Sequence, residues 1–213
     1  MTTQAAGPAP VITERTVKRY LILLLALACG AAAAQSNPPV RLRGTVVSFA
    51  APNLVINERS GKTFTLTLPE ETGIAEVIPT DITTVQPGSF IGTAALPRAD
   101  GKLVALEVVV FPEAARGTGE GHYPWDLKPE SSMTNATVAN LARSSDGRTL
   151  SLRYKEGEKT VIVPDGIPVV TLRAGDRSLI VPGAKVFIVA EPRDDQFTVR
   201  RLMIGRNGFQ PPM

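Results

Sequence analysis

Residues 116–126 read RGTGEGHYPWD and hold the only histidine, His122, and the only tryptophan, Trp125, of a 213-residue chain. Glu120, His122 and Asp126 are residue types that bind zinc or a related ion, and they form the candidate metal set. A metal also needs converging geometry and supporting hydrogen bonds, which three residues of one loop do not guarantee. His122 could act as a general base, but no serine or carboxylate in the sequence is tied to it. Gly117, Gly119 and Gly121 have the look of a phosphate loop. Such a loop needs a parallel strand before it and a helix after it, whose free amides meet the phosphate. Tyr123-Pro124 interrupts a helix start here and no Walker lysine follows, so no nucleotide and no other cofactor is expected. Arg116, Tyr123 and Trp125 have a different use. Aromatic side chains in a long connection staple the backbone to a folded body or present a recognition patch, and Arg116 belongs to the polar rim of either.

The elements that must position this stretch come in two similar sets. GTVVSF at 44–49 matches ATVANL at 136–141, and NLVINERSGKTFTLTLP at 53–69 parallels RTLSLRYKEGEKTVIVP at 148–164. VQPGSFIGTA then answers IVPGAKVFIVA, and DGKLVALEVVV answers DDQFTVRRLMI. The separation is 92 residues at the first pair and 95 at the two Pro-Gly dipeptides, a drift that loops of unequal length produce. Within the sets the apolar residues alternate. Phe64, Leu66 and Leu68 share one face of a strand and Thr63, Thr65 and Thr67 the other, as pleating requires. Gly88 and Gly183 follow prolines and mark chain reversals, where proline fixes one torsion and glycine accepts a positive φ.

A half of this length with one apolar face per strand must curl to hide that face, and a small barrel does so with few open edges. The expected fold is therefore all-β, with two tandem small OB-like β-barrels over 35–111 and 135–206. A glycine- and aromatic-containing connection at 112–134 joins them, and 207–213 forms an exposed tail. The rival is one continuous sandwich built by both halves.

GTVVSF, NLVINE, VQPGSFIGTA and KLVALEVVVF together resemble the exported bacterial domain of unknown function numbered 5666. The likeness covers both halves, although Ala136 stands where the pattern opens with glycine. It implies an OB-like barrel, often in tandem in envelope proteins, and brings no catalytic residues. Residues 116–126 also resemble a stretch in proteins labelled metal transporter permeases. This sequence has no permease-like set of membrane spans, and transport is not carried over.

Arg15, Lys18 and Arg19 precede YLILLLALACGAAAAQ, the order of an export signal, so 1–34 is expected to be a signal peptide cut after Ala34. Its apolar run is shorter than the roughly twenty residues that span a bilayer, and no stable transmembrane span is expected after cleavage. Cys29 follows Ala26, Leu27 and Ala28 and is the candidate lipidation site, which would anchor the chain to the envelope. The expected location is the periplasm or the exterior. From Gln35 onward, 20 Lys or Arg stand against 19 Asp or Glu, which gives no concentrated basic face for nucleic acid.

Three functions follow. The leading one is a noncatalytic exported binding or assembly module with a protein or polysaccharide partner in the cell envelope. The others are a metal-binding accessory protein centred on His122 and an envelope enzyme whose groups the sequence does not reveal.

Overall fold

The computed structural model describes Gly7 and residues 38–144, 147–193 and 196–213. The leader expected at 1–34 and Cys29 lie outside the described residues apart from Gly7. The first half supplies β1 (Val40–Ala50), β2 (Asn53–Glu58), β3 (Thr63–Thr67), β4 (Ile74–Pro79), β5 (Phe90–Pro97), β6 (Leu103–Ala105) and β7 (Val108–Val110). The connection contributes β8 (Gly121–Pro124). The second half supplies β9 (Ser132–Ser144), β10 (Gly147–Tyr154), β11 (Gly157–Val163), β12 (Val169–Ala174), β13 (Lys185–Arg193) and β14 (Gln196–Gly205). Among the described residues the only helical elements are short 3₁₀ turns, so the fold is all-β as the alternation predicts.

The strands close into two five-membered rings, and each ring draws on both halves. β1, β2 and β3 pair in sequence, β3 pairs in parallel with β14, β14 pairs with β13, and β13 returns to β1. In the same order β9, β10 and β11 continue to β6, then β5, which returns to β9. The segments 35–111 and 135–206 therefore do not each close a ring of their own. Three strands of one half are completed by two strands of the other, β13 and β14 in one ring and β5 and β6 in the other. The crossings are made by β4 and β12, which lie antiparallel with Val77 opposite Leu172. β4 also runs parallel to β14, and β12 parallel to β7, so each crossing is hydrogen-bonded on both sides.

The Pro-Gly turns seal the rings at matching places. Gly88 has φ +91° and donates its N–H to Val138 O at 2.8 Å; Gly183 has φ +87° and donates to Val46 O at 2.8 Å. Each turn thus binds the first strand of the opposite half, inside the GTVVSF or ATVANL motif. An Asp side chain, Asp81 or Asp176, caps the 3₁₀ turn before each.

Alternation sorts the core. Leu54, Ile56, Leu66, Leu68, Val186 and Ile188 fill the first ring. Ile91, Leu103, Val138, Leu150, Leu152 and Val161 fill the second. The opposite face of β13 sends Phe187 into a third cluster, with Val189 packed against it. That cluster includes Val77, Val109, Val170 and Met213, with Phe209 packed alongside. The tail at 207–213, expected to be exposed, is corrected on this point: Pro211 and Met213 are buried. Phe209 and Met213 hide apolar surface there, and Arg43 Nε donates to Met213 O at 2.7 Å.

Candidate functional site: a cleft between the rings

Strand register builds the two walls. Across β1, β13 and β14 the residues Arg43, Phe187 and Met203 lie in one row, and Arg41, Val189 and Arg201 in the next. Successive residues of a strand point to opposite faces, so residues two apart share one. Both rows therefore lie on one face of the first ring. Across β9, β5 and β7 the row is Asn135, Gly92 and Val109. Tyr123 on β8 pairs with Met133, two residues from Asn135. Between the walls lies a cleft of about 90 Å³. Phe111, Thr118, Gly119, Trp125, Leu172 and Met213 complete its lining, Arg201 is exposed at its margin, and Arg41 meets it through the Trp125 ring.

Two atoms in this lining lack hydrogen-bond partners although both are buried: Asn135 Oδ1 and Trp125 Nε1. The Asn135 amide is held from its other end, where Nδ2 donates to Thr118 O at 3.1 Å and to Tyr123 Oη at 3.2 Å. A methyl group at Gly92 would run into Asn135 Oδ1, and one at Gly119 would approach Asn135 Nδ2 to 3.1 Å. Those two glycines make room for the amide. Buried polar atoms are almost always satisfied in folded proteins, so an unpaired acceptor and an unpaired donor in one cleft point to an occupant, whether water or ligand.

Trp125 is half-buried. Its ring lies 6.1 Å from those of Phe187 and Tyr123, and the Arg41 guanidinium sits 4.1 Å above it. It therefore packs the connection onto β13 of the first ring while β8 pairs with β9 of the second. Burial pushes the Tyr123 hydroxyl pKa up, opposed by Arg41 and Arg201, which places both cations within electrostatic reach of it.

The other candidates are placed elsewhere. Arg116 donates to Glu113 and to Gly88 O at 2.9 Å, clamping the connection onto the first Pro-Gly turn. The metal set is corrected. Glu120 is exposed; His122 Nδ1 lies 2.9 Å from Thr134 Oγ1; and Asp126 Oδ1 accepts from Arg43 Nη2 at 2.7 Å. Among the described residues no three of His, Cys, Asp and Glu converge to hold a metal. Of the three, Glu120 and Asp126 lie outside β8 and Asp126 is drawn to Arg43; only His122 lies on that strand, where it faces away from Tyr123. There His122 stacks at 6.4 Å on Tyr154, and burial followed by the Lys159 charge lowers its pKa. Its Thr134 neighbour is fully buried and offers no hydroxyl to a substrate.

Three groups escape a reading of the sequence. Arg43 and Asn135 immediately precede the two matched motifs, a sign that polar residues flank both. Glu107 sits between β6 and β7, wholly buried; its Oε1 accepts from Ala94 N at 3.0 Å while Oε2 has no partner. Burial pushes its pKa up to about 7 against the Ala94 amide and the Arg43 charge, which hold it down. In the strand-like run ALEVVV of the sequence it gives no sign of being interior.

The fold and the cleft define an all-β chain with closed five-stranded rings and a small, mostly apolar cleft between them. Comparison with protein-family models, with curated proteins and with solved structures finds no match to this chain. Among the described residues no helix is long and apolar enough to cross a membrane.

Proposed function

We propose that this chain is a noncatalytic binding or assembly module of the bacterial envelope, exported by its N-terminal 34 residues and built from a tandem repeat resembling the domain of unknown function 5666. Cys29 is the site at which a lipid would tether it if the leader is processed that way. The observation that carries the binding reading is the inter-ring cleft, where Asn135 Oδ1 and Trp125 Nε1 are buried without partners among aromatic and methionine side chains. A cleft that is mostly apolar with a few convergent polar atoms is the usual form of a ligand site. The partner is an envelope protein or polysaccharide that inserts a group there.

The test is photo-crosslinking in the native envelope, with the reactive group at Thr118 in the cleft lining and, as a control, at exposed Lys155. The expected result is an adduct specific to position 118 that disappears when Tyr123 and Trp125 are both changed to Ala. Adducts of equal yield in the double variant contradict the reading.

A further inference from the structure

We infer that the cleft takes the apolar carboxyl-terminal residue of a polypeptide, its carboxylate held between Arg41 and Arg201; this rests on the binding reading above. Four features of the site match four features of such a chain end.

The cations come first. Val189 stands between Arg41 and Arg201 in one row of the first ring's outer face. Neither arginine has an ion pair with an acid among the described residues, whereas Arg200, next in sequence, is paired with Glu191 at 2.8 Å. Guanidinium groups flanking an apolar floor suit a carboxylate, which they bind with planar, charge-assisted hydrogen bonds. Asp126 is hydrogen-bonded to Arg43, and although its charge is felt by Arg41 it forms no ion pair with either arginine.

The polar atoms come second. Asn135 Oδ1 is an acceptor in need of a donor, and Trp125 Nε1 a donor in need of an acceptor. A terminal residue brings one N–H and several oxygens within a few bonds of its carboxylate, whereas a simple carboxylate ion brings no donor at all.

Third is the volume. About 90 Å³ is room for about three waters at ~30 Å³ each, or for one branched aliphatic side chain. Fourth is the lining: Phe111, Phe187, Met133, Met203 and Met213 give that side chain an apolar, adaptable surface.

The test titrates the full chain with acetyl-glycyl-glycyl-leucine, its carboxamide, and isovalerate as a small acid of similar shape. The readouts are Trp125 fluorescence and calorimetry. The free-acid peptide is expected to bind at least about tenfold tighter than the carboxamide. The Arg201→Gln variant, altered at an exposed position, should bring the free acid down to the affinity of the carboxamide.

Equal affinity for acid and amide overturns the inference while leaving the cleft as a binding site. Isovalerate binding as tightly as the peptide also overturns it, because the donor to Asn135 is then not used. No response to any of the three overturns it too, and the crosslinking experiment then decides the broader reading separately.

Discussion

Arg43 Nη2 lies 2.7 Å from Asp126 Oδ1, so a cation on β1 that is almost wholly buried is held by a carboxylate from the connection, one residue past Trp125. The same guanidinium donates through Nε to Met213 O and lies 5.1 Å from the Phe187 ring centre. One side chain thus joins the first ring, the connection and the C-terminal segment. Losing a partner is costly when the group left behind cannot reach water.

Asp126→Ala should therefore destabilise the fold by about 1–2 kcal/mol, below the cost of breaking a fully buried pair because Asp126 is 44% exposed. Burial raises the Asp126 pKa, but the Arg43 hydrogen bond and charge outweigh it and the net shift is downward. A carboxylate held below its unfolded value contributes stability that is present above that value and is lost as pH falls through the folded one. Urea denaturation at pH 7 and at pH 2–3 checks this, with the difference between wild type and variant shrinking at the lower pH. A difference that stays constant contradicts it.

Glu107 shows the opposite sign. Its folded pKa of about 7 lies above the ordinary 4.5, so its contribution is complete below 4.5 and lost as pH rises through 7. The linkage amounts to about 3 kcal/mol at full ionisation. Glu107→Gln keeps an acceptor for the Ala94 amide and cannot ionise. It should gain up to about 3 kcal/mol on the wild type between pH 4.5 and 8. Parallel stability curves for the two proteins over that range would remove Glu107 from the account.

Gly88 and Gly183 have open space where a Cβ would go, so substitution acts through the backbone alone. Gly88→Val and Gly183→Val should each cost about 1–2 kcal/mol, because both positions have φ near +90°. Melting curves indistinguishable from wild type would show that the turns accept another conformation.

Trp125 is the chain's only tryptophan and reports on one place. Packed on Phe187 beneath Arg41, it should emit at shorter wavelength than indole in water and shift to the red in urea. Water-like emission from the native protein would mean that the connection is not stapled to the first ring.

Much of this fold is legible in the residues. The alternation of Leu66 and Leu68 with the threonines, and the two Pro-Gly turns, report local geometry, which a short stretch of sequence determines. Ring membership is different. β13 and β5 have nearly the same pattern, so nothing in either says whether β1 or β9 is its neighbour. Pairing between distant strands is settled by long-range packing, here through Val77 and Leu172 at the crossing. The proximity of Glu120, His122 and Asp126 in sequence suggested a shared site, but Asp126 is drawn to Arg43 and His122 to Thr134, while Glu120 stays exposed. Tyr123 and Trp125 did mark the cleft, while Arg43, Asn135 and Glu107 became visible only once the register placed them.

The exchange of strands between halves is the claim from which the cleft follows, and cleavage of the connection tests it most directly. A protease site introduced at exposed Lys128-Pro129 leaves every ring strand intact. After cleavage the two pieces should stay together in native buffer. Separated in denaturant, each should fail to regain strand circular dichroism alone, and the pair should recover it with Trp125 fluorescence when mixed in equal amounts. Independent refolding of either piece into a cooperatively melting barrel would contradict the account.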